Sequence, residues 1–347
     1  MGESTGISWT DHTANFWMGC QRVSPGCERC YAEKLVTGRM SLPVWGPPST
    51  TQRQRTKGAW KDVVRWNRQA KRDGVRRRVF VSSLSDVFEA HPMVEPWRVE
   101  ALDLLAQCDG LDVQLLTKRP ENVRGMVPRA WLQSWPAHVW MGTTVEDQHR
   151  AEQRIPHLLK VPADVRFLSM EPLLESVGLD RMRCDDCGRS EVQLRADHEW
   201  SEGNGNGWCN GCDTELSAGH WLDPCADDRQ SGISWVIVGG ESGPGARPFD
   251  LEWARSIVRE CDAEGVSVFV KQMGDAPVDG ARVDVLNMTG GVAYVRPASD
   301  PDGLLAEALA QGRKMRPHAL RLTAHHGADP LEWPEELQRQ NFPHCAP

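Results

Sequence analysis

Six short runs of β-branched and apolar residues recur along the chain: VFVS at 79–82, VQLLT at 113–117, VWMGT at 139–143, VRFLS at 165–169, WVIVG at 235–239 and VSVFVK at 266–271. Their length and composition predict strands. Helix-like stretches lie between most of them: VEPWRVEALDLLAQC, the Pro120 to Leu132 region, VEDQHRAEQRIPHLLK and FDLEWARSIVRECDAEG. A further strand is expected around Ile7 to Thr10. Strand, helix, strand repetition implies right-handed crossovers and a parallel sheet. The expected fold is α/β, a partial or complete parallel (β/α) barrel of six or seven units.

In such folds the βα loops converge on one mouth, at the C-terminal ends of the strands, and chemistry gathers there. The strands lead in turn into Ser82, Ser83 and Asp86; Thr117, Lys118 and Arg119; Thr143, Thr144 and Glu146; Ser169 and Glu171; Gly239, Gly240, Glu241 and Ser242; and Lys271 and Gln272. Each of these alone suits a helix N-cap or a surface ion pair. Six such groups at equivalent positions point to a polar active site.

At 347 residues, 40% hydrophobic and 25% charged, the chain suits two domains or one large barrel with an insertion. A lone small module is excluded. The longest apolar runs are strand-length, far from the roughly 20 residues of a membrane span. The polar start, MGESTGISWTDH, lacks the apolar stretch of a signal peptide. A cytoplasmic protein with no membrane partner is expected.

The net charge of −8 argues against a protein that coats nucleic acid by electrostatics alone. Between Arg53 and Arg78, however, eleven Lys or Arg face only Asp62 and Asp73, a local balance of +9. Such a strip suits a polyanion, with Arg53, Arg55, Lys57, Lys61, Arg76, Arg77 and Arg78 as contacts. Trp60 and Trp66 are interleaved with them, placed either to stack on bases or to face the core of an amphipathic helix.

Of the eleven cysteines, Cys108, Cys261 and Cys345 are isolated and the rest are grouped. Cys20, Cys27 and Cys30 follow C-x6-C-x2-C on a Gly- and Pro-containing loop that runs into a helix. Three thiolates leave a fourth position unfilled, which suits a [4Fe-4S] cluster with one open iron. The other reading is a structural zinc completed by His12 or His91. Cys184, Cys187, Cys209 and Cys212 form two C-x2-C knuckles separated by twenty-one residues. That is a ribbon-type zinc signature, with an auxiliary iron-sulfur cluster as its rival. Cys225, His198 and His220 are read as spectators.

The order of ISWTDHTANFWMGC, VSPGCERCYAE, VFVSSLSDVFE, LLTKRPENV, MGTTVEDQHRAEQRIP, RFLSMEPLLE, WVIVGGESGPGARP and FVKQMG resembles the phage-encoded three-cysteine-motif family, itself radical-SAM-like. The resemblance implies a barrel of radical-SAM type with the cluster on the loop after the first strand. In such enzymes the open iron chelates S-adenosylmethionine, and an electron from the cluster cleaves the sulfonium to release a 5'-deoxyadenosyl radical. Two features differ from that pattern. The first cysteine gap is six residues rather than three, and Gly239-Gly240-Glu241 follows a late strand where the usual motif follows the second.

Carried onto this chain, the resemblance implies cofactor contacts from Ser83, Asp86, Thr117, Thr143, Gly239, Gly240, Glu241 and Ser242. Ser83 or Asp86 would meet the methionyl amine. Lys118, Arg119, Glu171, Glu241 and Lys271 are the candidate catalytic groups. The zinc knuckles interrupt segments that the resemblance would join directly, so residues 181–231 are expected to be an inserted zinc-ribbon subdomain. The barrel then comprises residues 1–180 and 232–274, and residues 275–347 are a C-terminal extension with a hairpin turning near Thr289 to Gly291. Two functions stay open: a radical-SAM-like enzyme acting on a nucleic-acid base or nucleotide in phage DNA modification or repair, with an electron donor as partner, or a non-catalytic, metal-stabilised nucleic-acid-binding protein.

Overall fold

The computed structural model describes residues 5–184, 200–203, 206–209, 214–220, 232–286, 292–295, 314–320, 322 and 324–343. Seven strands form one curled parallel sheet in chain order, a half-barrel: β1 (His12–Ala14), β2 (Arg77–Val81), β3 (Leu111–Thr117), β4 (Val139–Thr144), β5 (Arg166–Met170), β6 (Trp235–Gly239) and β7 (Ser267–Gln272). Its outer face is covered by α1 (Ala59–Asp73), α2 (Glu95–Ala106), α3 (Pro120–Met126), α4 (Gln148–Leu159) and α5 (Leu251–Ala263). The first strand differs from expectation. Ile7 to Thr10 forms a turn, and pairing begins at His12. Thr10 is held outside the ladder because its hydroxyl accepts from the Phe80 amide at 3.1 Å while Trp9 packs on the Phe80 ring.

α1 buries Ala59, Val63, Trp66 and Ala70, one stripe at helical spacing, and ends at Gly74, whose φ of +64° suits a residue without Cβ. α4 and α5 start at Asp147 and Asp250, whose carboxylates accept from the amides of Arg150 and Glu252.

Inside the curl, Trp9, Phe80, Trp140, Phe167, Trp235 and Phe269 fill the end from which the strands start. The Phe167 ring fits only because its neighbour on β4 is Gly142: a Cβ there would lie 2.5 Å from the ring. Gly142→Ala is therefore expected to destabilise the protein by about 1–3 kcal/mol through overpacking. Gly125→Ala, in α3 with open space around it, should be neutral or stabilising by up to about 1 kcal/mol. Urea denaturation of both variants checks the contrast.

β1 and β7 are the two sheet edges. Residues 339–341 run antiparallel along β7, with the Val270 amide donating to the Arg339 carbonyl at 2.7 Å and the Asn341 amide to the Val268 carbonyl at 2.9 Å. Phe342 then packs on Trp235 and Phe269, and the Arg78 guanidinium lies 3.7 Å from its ring centroid. Residues 339–342 thus cover the base of the half-barrel beside β7. In the extension, Pro277–Leu286 pairs antiparallel with Val292–Val295 and Lys314–Ala319 and parallel with Phe249–Asp250. The hairpin's turn lies outside the described residues. Asp180–Cys184, Thr214–His220, Asn206–Cys209 and Trp200–Gly203 make a separate antiparallel sheet in that order.

Candidate functional site

The cysteine loop leaves β1 and crosses the polar end of the half-barrel. Gly19 opens it at φ +109°, where a Cβ would meet the Val44 carbonyl oxygen at 2.3 Å. Only glycine passes there. A 3-10 turn at Pro25–Cys27 buries Cys27, and Cys30 precedes the helical turn Tyr31–Glu33. Four contacts tie this loop to other elements at the mouth. Arg119 after β3 donates to the Gln21 carbonyl at 2.7 Å, and Arg247 after β6 donates to the Pro25 carbonyl at 3.0 Å. The Tyr31 hydroxyl donates to the Ser83 carbonyl at 2.8 Å. Gly26 lies against the buried Glu146 carboxylate, 3.1 Å from where its Cβ would be.

Each thiol has a distinct setting. Arg119 Nη1 lies 3.7 Å from Cys20 Sγ. Desolvation pushes the Cys20 thiol up to about 12, against the pull of Arg119. Burial likewise raises Cys30, opposed by the amides of Glu33 and Ala32, which donate to its sulfur, and by Lys118. Cationic groups and backbone amides aimed at sulfur favour thiolate over thiol.

Among the described residues no three His, Cys, Asp or Glu side chains gather tightly enough to hold a metal ion. A [4Fe-4S] cluster spreads its ligands wider than a single ion does, since each thiolate binds a different iron. The donor set fits such a cluster: three cysteines on one anchored loop, with Arg119 and backbone amides placed to stabilise negative sulfur.

Beneath Cys20 lies a buried charge network. Asp86 accepts from Thr117 at 2.6 Å, from the Lys118 amide at 3.0 Å and from Arg119 at 2.8 Å. Burial alone would raise this carboxyl, but Arg119 and the hydrogen bonds outweigh it, so its pKa lies below the usual carboxylate range. Asp86 therefore holds Arg119, and Arg119 meets the cysteine loop. Glu146 is paired with Arg154 at 2.7 Å through Oε2, while its buried Oε1 has no hydrogen-bond partner among the described residues.

On the other side of the mouth Lys271 pairs with Glu171, and Gln272 donates to Ser242 and to the Gly240 carbonyl. Thr143 donates its hydroxyl to the Thr117 carbonyl, which ties β4 to β3. Gly240 is a packing glycine, because a Cβ there would sit 2.3 Å from the Met273 carbonyl oxygen; Gly239 has only ordinary contacts. Glu241 is engaged by Arg247 at 2.6 and 3.0 Å. Lys118 makes no ion pair among the described residues, and it lines a cleft of about 220 Å³ beside Gln21, Val23 and Arg119.

The basic strip is not one surface. Arg53 is buried, paired with Glu89 at 2.8 Å and bonded to the carbonyls of Val44 and Gly46, so it cannot serve as a polyanion contact. A guanidinium this deep is costly to bury without a carboxylate beside it. Trp66 is core, stacked on His12 at 4.3 Å. Trp60 is half-buried against Phe16, with Arg55 over its ring at 4.4 Å. Arg76, Arg77 and Arg78 pair with Asp112, Asp73 and Asp11 at the start of β2, the opposite end from the cysteine loop. Arg55, Lys57 and Lys61 are exposed; Arg55 pairs with Glu100, and its backbone pairs with Trp17 just after β1, on the mouth side.

Of the four cysteines expected to bind zinc, Cys184 and Cys209 end strands that both pair with Thr214–His220, opposite Leu216 and Thr214. Cys187 and Cys212 lie outside the described residues.

Arg247 and Tyr31, which anchor the loop, lie within WVIVGGESGPGARP and VSPGCERCYAE, but neither was singled out as a site residue. Ser82 did stand at a strand end. Its φ of +68° and its buried hydroxyl, without a partner, mark a strained position at the mouth. No helix among the described residues is long and apolar enough to cross a membrane. No curated protein and no solved structure matches the chain. A family model described as protein of unknown function (DUF5131) matches residues 4–318, and the chain belongs to that family.

Proposed function

We propose that this protein is a radical-SAM-like iron-sulfur enzyme acting on a nucleic-acid base or nucleotide. One observation carries the reading: a loop bearing Cys20, Cys27 and Cys30 lies across the C-terminal mouth of a parallel half-barrel, tied to the elements that follow β2, β3, β4 and β6. A mere zinc staple would not need a ring of buried, hydrogen-bonded polar groups below it.

Those three cysteines would hold a [4Fe-4S] cluster, which when bound supplies an open iron for S-adenosylmethionine and one electron for its cleavage. The chain's own groups divide the remaining work. Asp86 orients Arg119, and Arg119 stabilises negative charge on Cys20. The Glu171–Lys271 pair and the Gln272–Ser242 bond present polar groups across the mouth, where a cofactor or substrate can exchange them for its own hydrogen bonds. The Glu241–Arg247 ion pair, in which both carboxylate oxygens are engaged, shapes the site rather than reacts. The acidic chain disfavours indiscriminate nucleic-acid coating, and Arg55, Lys57 and Lys61 are the cations placed to steer one polyanion towards the mouth.

The test is anaerobic purification with iron, sulfide and zinc counts. The wild type should be brown with about four irons and one zinc per chain. The Cys20, Cys27 and Cys30 triple alanine variant should lose the iron and keep the zinc. A colourless reconstituted wild type with two zinc ions sinks the reading. For the substrate class, joint reversal of Arg55, Lys57 and Lys61 to Glu should weaken oligonucleotide binding about tenfold or more at low salt. Unchanged binding, or none by the wild type, removes nucleic acid as the substrate and leaves the cluster intact.

A further inference from the structure

We propose that the cleft between α2 and the end of α3 is a second ligand site, which takes the carboxylate of a small molecule with an apolar body. The cleft is about 650 Å³ and lies on the outer layer, away from the cysteine loop. At its floor stands Arg98, only 5% exposed. Its Nη1 donates to the carbonyls of Val87 and Glu89 at 3.4 and 3.1 Å. Its Nε is sealed from solvent with no partner, and Nη2 makes no hydrogen bond among the described residues. No carboxylate lies within ion-pair distance of Arg98 among the described residues, unlike the buried Arg53, Arg119 and Arg154.

A guanidinium buried without a counter-charge is costly, and burial does pull Arg98 below its ordinary pKa, with Glu95 and Asp86 acting only through space to oppose this. Nη2, which is not sealed, is the nitrogen a ligand can reach, and it can donate one charge-assisted hydrogen bond to a carboxylate oxygen. The rest of the cleft narrows the ligand class. Val99, Met126 and Val127 line it with apolar surface, which suits an alkyl or aryl body. Glu95 and Asp103 also line it; they oppose any anion, and a doubly charged phosphate more than a singly charged carboxylate. A monocarboxylate satisfies both constraints. This site goes beyond the proposed chemistry at the mouth and does not depend on it.

Hexanoate is the probe, titrated calorimetrically into the full chain, with hexanol and inorganic phosphate as controls. The wild type should bind hexanoate saturably and neither control. Arg98→Met should weaken binding about tenfold or more. Val99→Asp changes a residue that is 51% exposed and spares the fold, yet it should weaken binding similarly by placing a carboxylate on the wall. No saturable hexanoate binding by the wild type, wild-type affinity in Val99→Asp, or phosphate bound more tightly than hexanoate would overturn the proposal.

Discussion

Glu89→Ala is expected to destabilise the protein by about 3–5 kcal/mol, the cost of leaving a buried cation without its partner. The Arg53 side chain has no exposed surface and that of Glu89 has 2%. Two hydrogen bonds of 2.8 Å join them side-on, and Arg53 also holds the Val44 and Gly46 carbonyls. Removing the carboxylate leaves the guanidinium among backbone dipoles, with no route to water. The effect should reach the cysteine loop as well, since Gly19 packs on the Arg53 Cδ and on Val44. Arg72→Ala breaks an ion pair whose arginine is 73% exposed, and it should cost less than about 1 kcal/mol. Urea titrations of the two variants, followed by tryptophan fluorescence, decide the matter. Equal effects would mean that the Arg53–Glu89 pair is not the brace described.

Arg53 also shows where a sequence stops being legible. In a run of eleven cations nothing distinguishes the one that turns inward, because its carboxylate lies 36 residues away. Charge density along the chain reports local composition, whereas burial is decided by tertiary packing. The same limit hid Arg247. Its carboxylate is six residues away, but the carbonyl it holds lies 222 residues upstream.

The strands were legible for the opposite reason. β2 through β7 are covered on one face by helices and on the other by the aromatic plug, so each needs a dense apolar run that stands out from its surroundings. β1 is three residues, HTA, at a sheet edge, and it lacks such a run. The apolar Ile7 and Trp9 nearby drew the expectation to the wrong segment. The polar ring was readable because βα topology places the residue after each strand at the mouth. What could not be read was which of those groups are tied up with one another, as Asp86 is with Arg119.

Arg247→Met is expected to weaken iron retention about 10- to 100-fold, the usual effect of removing a group that orients a metal-binding segment, while leaving the half-barrel folded. Arg247 is only partly exposed, and it spans from the Glu241 carboxylate to the Pro25 carbonyl and, at 3.4 Å, to Glu28. It therefore grips the loop between Cys20 and Cys27, while Gly26 rests on Glu146 from below. Losing the arginine frees one side of a two-sided clamp. Chelator competition, read as loss of the brown absorbance, measures the change. Arg247→Lys should recover part of it, because an ammonium can reach one carbonyl but cannot also meet both oxygens of Glu241. Arg259→Met, a 62% exposed arginine paired with Glu252, should change nothing. Limited proteolysis of residues 20–30 separates the clamp from the cluster: faster cleavage in Arg247→Met supports the clamp even in protein that holds no iron. Unchanged cleavage together with unchanged iron retention would show that the contacts of Arg119, Tyr31 and Glu146 hold the loop without Arg247.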